Sequence, residues 1–195
     1  MALASGPREA DTANRILDAA EVLVQMRGFN GFSYAHVGAE VGITTASLHY
    51  HFATKADLGE ALIVRYAERF ADELRAIDGR GGDAPARLRS YAGLYSAVLR
   101  SDRMCLCGIL AAEYQTLPRG MSQAIVGFFD ANEGWLTATL ATGLAERTLA
   151  FVGEPRHRAQ TLLAGLEGAM LVALPYGDPQ RFDVAAAELI ASLTA

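Results

Sequence analysis

The densest run of side chains able to do chemistry lies between Ser33 and Leu58, SYAHVGAEVGITTASLHYHFATKADL. Thr44, Thr45 and Ser47 put short hydroxyls at what reads as the start of a helix, and Tyr50, His51 and Lys55 follow. Hydroxyls beside the free N–H groups of a helix start can reach phosphates or the base edges of a major groove. Tyr50, His51 and Lys55 can each donate to a phosphate, a contact that sets register rather than sequence preference. The histidines do not suggest a metal. His49 and His51, at i and i+2, point to different faces of a helix, and the lone His36 and His157 suit surface or capping positions. No metal and no cofactor is expected.

Cys105 and Cys107 are the second candidate group. Two cysteines are too few and too close for a disulfide framework, and an i, i+2 bridge would require the helix to unwind. They read either as two small half-buried residues or as a redox or electrophile sensor, with Arg103 near enough in sequence to lower a thiol pKa. A third group is aromatic and apolar. Tyr91, Tyr95, Met104, Leu110, Tyr114, Phe128, Trp135 and Met170, with Glu113 and Asn132 as polar members, have the composition of a ligand pocket in a helical bundle. No acidic or cationic pair dominates it, which favours an uncharged, fairly apolar ligand.

The elements that must position these groups are helical. Ala and Leu dominate the apolar residues, and Val, Ile and Thr form no alternating runs, so an all-α chain is expected. Residues 1–10 read as a flexible arm. Apolar spacing predicts helices over 11–27, 34–41 (capped by Ser33), 45–50 (capped by Thr44) and 55–77, the last opened by Thr54 with Asp57 completing a capping box. The DGRGGD stretch, 78–83, reads as a loop. Further helices are expected over 84–101, 103–117, 121–150, 156–174 and 180–193. Gly42 supplies the turn between the second and third helices, Gly38 lets them cross closely, and Val37, Val41, Ile43 and Leu48 are spaced to form the small core between them: a helix-turn-helix.

With these residues in view, the run VGAEVGITTASLHYHFATKADL resembles the signature of the TetR family of bacterial repressors. The aromatic–His–Phe step, the following Lys and the Leu of that signature fall on Tyr50, His51, Phe52, Lys55 and Leu58. The resemblance implies a three-helix DNA-binding domain over 11–54 and an effector-binding and dimerisation domain over 55–195. It implies phosphate contacts from Tyr50, His51 and Lys55, base-facing positions for Thr45, Ser47, Leu48 and His49, and a core position for Phe52; Ser33 and Thr44 join the DNA-facing set. Many members carry Lys or Arg at the place of Thr45 and Tyr at that of His49, and the softer choices here imply a shallow salt dependence.

Charge tempers that expectation. The chain has a formal charge of −5, and residues 1–70 hold six Lys and Arg against eight Asp and Glu, so the cationic face must be small. Along the last two helices, Leu162, Leu163, Leu166, Met170 and Ala173, then Ala186, Leu189, Ile190 and Leu193, form apolar stripes. Packed on their copies they would make a four-helix bundle and present two recognition helices to half-sites roughly 34–36 Å apart. The expected partners are operator DNA, a small-molecule effector and a second copy. With no signal-peptide pattern and no bilayer-spanning run, a cytoplasmic location is expected. The function expected is a regulator, a repressor released from a palindromic operator by its effector, and not an enzyme. Alternatives are a helical ligand binder or redox sensor acting through Cys105 and Cys107, or a small helical enzyme, for which no zinc spacing, phosphate loop or Ser–His–Asp arrangement is visible.

Overall fold

The structure, a computed structural model, describes residues 7–194. Nine α-helices, and no strand among the described residues, account for it: α1 (Pro7–Arg27), α2 (Tyr34–Val41), α3 (Thr45–His51), α4 (Lys55–Arg80), α5 (Ala84–Leu99), α6 (Leu106–Ala112), α7 (Arg119–Ala145), α8 (Pro155–Ala173) and α9 (Pro179–Ala191). The all-α expectation holds, as does the order of the elements.

Helix starts follow local chemistry. Thr54 accepts the Asp57 N–H while Asp57 accepts the Thr54 N–H, the reciprocal box that opens α4. Asp83 caps α5 by accepting from Ala86 N–H at 2.8 Å. Pro at the first turn opens α8 and α9, where its missing N–H costs nothing.

Several boundaries differ from the sequence reading, among them the end of α7, which stops at Ala145 and not at 150. The first helix begins at Pro7, so residues 7–10 of the expected arm are helical; residues 1–6 lie outside the described residues. Helix α4 runs on through Asp78 and Arg80 and stops at Gly81, whose φ of +71° ends the helical path. The helix expected over 103–117 is only Leu106–Ala112, followed by a 3-10 turn at Tyr114–Thr116. Both of its flanks are held by the first helical hairpin instead of by the helix itself: Met104 N–H bonds Gln25 O at 3.4 Å, and the Glu113 carboxylate is drawn to the turn after α1.

The C-terminal helices correct a larger expectation. Leu162, Leu163, Leu166, Met170 and Ala173 of α8, with Ala186 and Ile190 of α9 and Leu193 beyond it, are all buried within one protomer, and Leu189 is partly buried against the same core. The stripes read as a dimer face instead pack α8 against α7 and α9, and α9 against α5. The apolar side chains left outside are Leu171 and Val172 on α8 and Val184 on α9, and Ala164 and Gly168 continue the exposed strip of α8.

Candidate nucleic-acid interface

Helices α2 and α3 meet at Gly42, which adopts φ +75° and sends its N–H to Gly38 O at 2.9 Å. The crossing is close: a Cβ on Gly38 would sit 2.8 Å from Ile43 O. Val37, Val41 and Leu48 are buried between the two helices, and Ile43 is partly so. Arg15 of α1 reaches across to donate to Val41 O at 2.7 Å, satisfying a carbonyl at the end of α2.

Helix α3 lies on the surface with its first turn outward. Thr44 caps it by accepting from Ser47 N–H at 3.2 Å; Thr44, Thr45 and Ala46 are exposed and Ser47 is half-buried. Tyr50 is the most exposed aromatic of the domain, at 73 %, with the His51 ring edge-on to it at 5.3 Å. His49 is also exposed; its Nδ1 pairs with Ala53 O at 2.9 Å, and its ring rests on Tyr34. Tyr34, which sequence reasoning passed over, donates to Phe52 O at 2.8 Å and so ties the end of α3 to the start of α2. Burial, with the Asp57 charge second, pushes its hydroxyl pKa up to about 12, so it remains a donor. Ser33 is exposed, and its N–H is accepted by the His36 ring at 3.2 Å, the capping role foreseen for that histidine.

Two of the expected DNA-facing residues are engaged inside the protein, Leu48 wholly and Lys55 in part. Leu48 is fully buried and cannot reach a base; its place in the small core is the one that its spacing also allowed. Lys55 is half-buried, with its ammonium donating to Phe29 O at 2.5 Å and Phe32 O at 2.6 Å and lying over both rings. Burial lowers its pKa, while Glu113 acts in the opposite sense. Two of its three donors are therefore spent inside the protein, and the residue holds the α1–α2 turn before it holds any phosphate.

The family description "Bacterial regulatory proteins, tetR family" matches residues 16–62, which span the end of α1 through the start of α4. A transcriptional regulator of the TetR family from Agrobacterium tumefaciens is 31 % identical, with 96 % of this chain and 100 % of that one covered at a TM-score of 0.92. The chain belongs to the TetR family. It is thus a DNA-binding transcriptional regulator with a helix-turn-helix domain. A TetR regulator from Legionella pneumophila is 28 % identical over the whole of both chains, TM-score 0.85. Among curated proteins, the transcriptional regulator AcuR of Cereibacter sphaeroides is 27 % identical over 151 residues, 75 % of this chain and 69 % of that one.

The rest of this TetR-family chain carries the residues expected to receive a ligand. Tyr91 and Tyr95 of α5 join hydroxyls at 2.9 Å, and Tyr91 donates to Asn132 Oδ1 of α7 at 2.9 Å. Phe70 sits between the rings of Tyr91, Tyr95 and Phe128 at 5.2–6.0 Å, and Trp135 stacks on Tyr91 while donating to Asp78 at 3.0 Å. Met104, Leu110 and Met170 are buried in the same core. Glu113 and Tyr114 are elsewhere: Glu113 accepts from the N–H groups of Phe29 and Asn30, and Tyr114 is exposed. Neither lines this cluster, because the chain turns away from it where α6 ends. An open groove of about 340 Å³ between α1, α4 and α5 has Tyr66 and Phe70 as its floor.

Cys105 and Cys107 are fully buried, not half-buried, and unpaired. Burial first, then the nearby Glu167, pushes both thiols well above their ordinary range. Arg103, expected to favour a thiolate, instead donates to Gln25 at 3.2 Å. Buried thiols of this kind are poor nucleophiles. Glu167, an ordinary acid among many in the sequence, proves to be a carboxylate with both oxygens buried inside the domain.

Proposed function

We propose that the chain is a cytoplasmic repressor that binds a near-palindromic operator as a homodimer and is released when a small molecule enters the C-terminal domain, the two parts dividing at 54/55. The observation that carries this reading is the outward first turn of α3, with Thr44, Thr45 and Ala46 exposed while Leu48 anchors the helix from behind. Such a helix end can enter a major groove without rearrangement. Thr45, Ser47 and His49 are assigned to base edges. Ser33, Thr44, Tyr50, His51 and the remaining N–H of Lys55 are assigned to the sugar-phosphate backbone.

The homodimer is assigned to the outer face of α8 and α9 rather than to their inner stripes. Ala164, Gly168, Leu171 and Val172 are exposed at helical spacing, and an open groove of about 460 Å³ between Val172 and Val184 could accept a partner's side chains. The small residues allow close helix approach, and a two-fold contact uses the same patch on both copies. The effector is assigned to the aromatic cluster, approached along the groove floored by Tyr66 and Phe70.

Fluorescence anisotropy with duplex DNA taken from upstream of the chain's own gene tests the reading. Thr45→Ala and Tyr50→Ala should each weaken binding at least tenfold with unchanged thermal stability. If both variants bind like the natural protein, the assignment of α3 to the groove fails.

A further inference from the structure

Glu167 projects from α8 into the centre of the C-terminal domain. Both of its oxygens are buried, and neither has a hydrogen-bond partner of good geometry. Its carboxylate lies against α6 where that helix has no side chain: a Cβ on Gly108 would come within 2.2 Å of Oε2. The titratable groups that feel it are Tyr66 of α4, Tyr91 and Tyr95 of α5, and Cys105 and Cys107 at the start of α6. All five are neutral acids pushed further from ionisation by burial, so none brings a positive charge. The cations nearest the groove are already engaged, Arg69 with Glu21 and Arg103 with Gln25. A buried carboxylate without a counter-charge is costly: it either holds a proton, which raises its pKa, or is ionised against a cation that enters beside it.

The surroundings define what that cation is. Tyr66, Phe70, Tyr91, Tyr95 and Phe128 turn aromatic surface toward one another around this interior, and ring faces attract cations, most strongly where water is excluded. Tyr66 is common to both: it lines the groove, its hydroxyl donates to Cys105 Sγ at 3.8 Å, and it feels the Glu167 charge.

We infer that Glu167 anchors a small organic cation, an ammonium-type nitrogen on an apolar frame, which reaches it from the groove between α1, α4 and α5 past Tyr66. This deepens the effector reading above and rests on it. It also replaces the uncharged ligand favoured by composition, since a single buried carboxylate does not stand out among the surface acids of a sequence. The site connects directly to the DNA-binding domain. Cys105 caps the start of α6 and Glu113 its end, and Glu113 holds the α1–α2 turn. A ligand that draws Glu167 off Gly108 therefore acts on the helix that carries that contact.

The test uses the full chain and a matched pair of probes, phenyltrimethylammonium and its uncharged isostere tert-butylbenzene, with binding read by thermal shift and calorimetry. The natural protein should bind the cation at least tenfold more tightly than the isostere at pH 8, and Glu167→Gln should erase the preference. Gly108→Ala, which drives a methyl into the carboxylate, should do the same and serves where Glu167→Gln folds poorly. Affinity for the cation should fall about tenfold from pH 8 to pH 6, because Glu167 titrates near pH 7 while the neighbouring thiols and phenols stay protonated. Binding of neither probe, equal binding of both, or a preference that survives both substitutions overturns the proposal. Cation binding at Glu167 that leaves DNA affinity unchanged would instead count against the effector reading and keep the site.

Discussion

The Glu113 carboxylate accepts the Phe29 N–H at 2.6 Å, while the Lys55 ammonium takes the Phe29 carbonyl at 2.5 Å. The turn after α1 is thus gripped on both polarities, its amides by an anion from the end of α6 and its carbonyls by a cation from the start of α4. A side chain at Gly28 would collide with Glu113 at 2.4 Å, so the fit is close. On the effector reading proposed above, this junction is where a change in the C-terminal domain would reach the helix-turn-helix.

Glu113→Ala should leave the buried Phe29 N–H without a partner and cost about 1–3 kcal/mol in a denaturant titration. It should also blunt release from DNA by any effector more than it weakens DNA binding itself. Anisotropy with and without effector separates the two, and an unchanged response would remove Glu113 from the coupling route.

Leu48 and Tyr50 make an opposed pair two residues apart. Leu48→Ala should destabilise the fold by about 2–5 kcal/mol through the cavity it leaves. Tyr50→Ala should change stability by less than about 0.5 kcal/mol and still lose DNA affinity. Urea midpoints beside DNA titrations check both.

Lys55→Met should destabilise by about 1–3 kcal/mol, since two buried carbonyls lose their donor. If the ammonium also contacts phosphate, the slope of log affinity against log salt should fall by about 2 for the dimer, roughly one contact per half-site. A stability loss with an unchanged slope would assign Lys55 to the fold alone.

Glu167 gives a pH signature. Burial raises its pKa from 4.5 to about 7, with the Cys105 thiol partly opposing. Between those values the folded chain keeps a proton that the unfolded chain has released, so the contribution of this group to stability declines as pH rises from about 4.5 to about 7, then levels. Glu167→Gln should therefore gain on the natural protein across that window, by up to about 3 kcal/mol at pH 8. Thermal melts from pH 5 to pH 8 should show the gap widening; a constant gap would mean that the group is not buried as a charge.

Leu171→Arg, on the exposed strip of α8, should shift the protein from dimer to monomer in sedimentation and abolish binding to a two-half-site operator while leaving the protomer folded. If the dimer persists, another surface joins the copies.

Much was legible in the residues alone. Periodicity, capping residues and glycine stops place nine helices in order, because these signals act within a turn or two of chain. The Tyr50–Lys55 run points to the family for a similar reason, since a helix-turn-helix is nearly all local contacts. What only the tertiary structure decided is which face of each helix turns inward and what each polar group meets there. The stripe of Leu162, Leu166 and Met170 is equally apolar whether it faces a partner or its own core, and only the packing of α8 on α7 and α9 chose the core. Leu48 could be read toward DNA or toward α2, and the crossing at Gly38 chose α2. Glu113, Lys55 and Glu167 are ordinary charges in the sequence; their partners, or lack of them, come from residues dozens of positions away, and short-range patterns carry no information about contacts made at that distance.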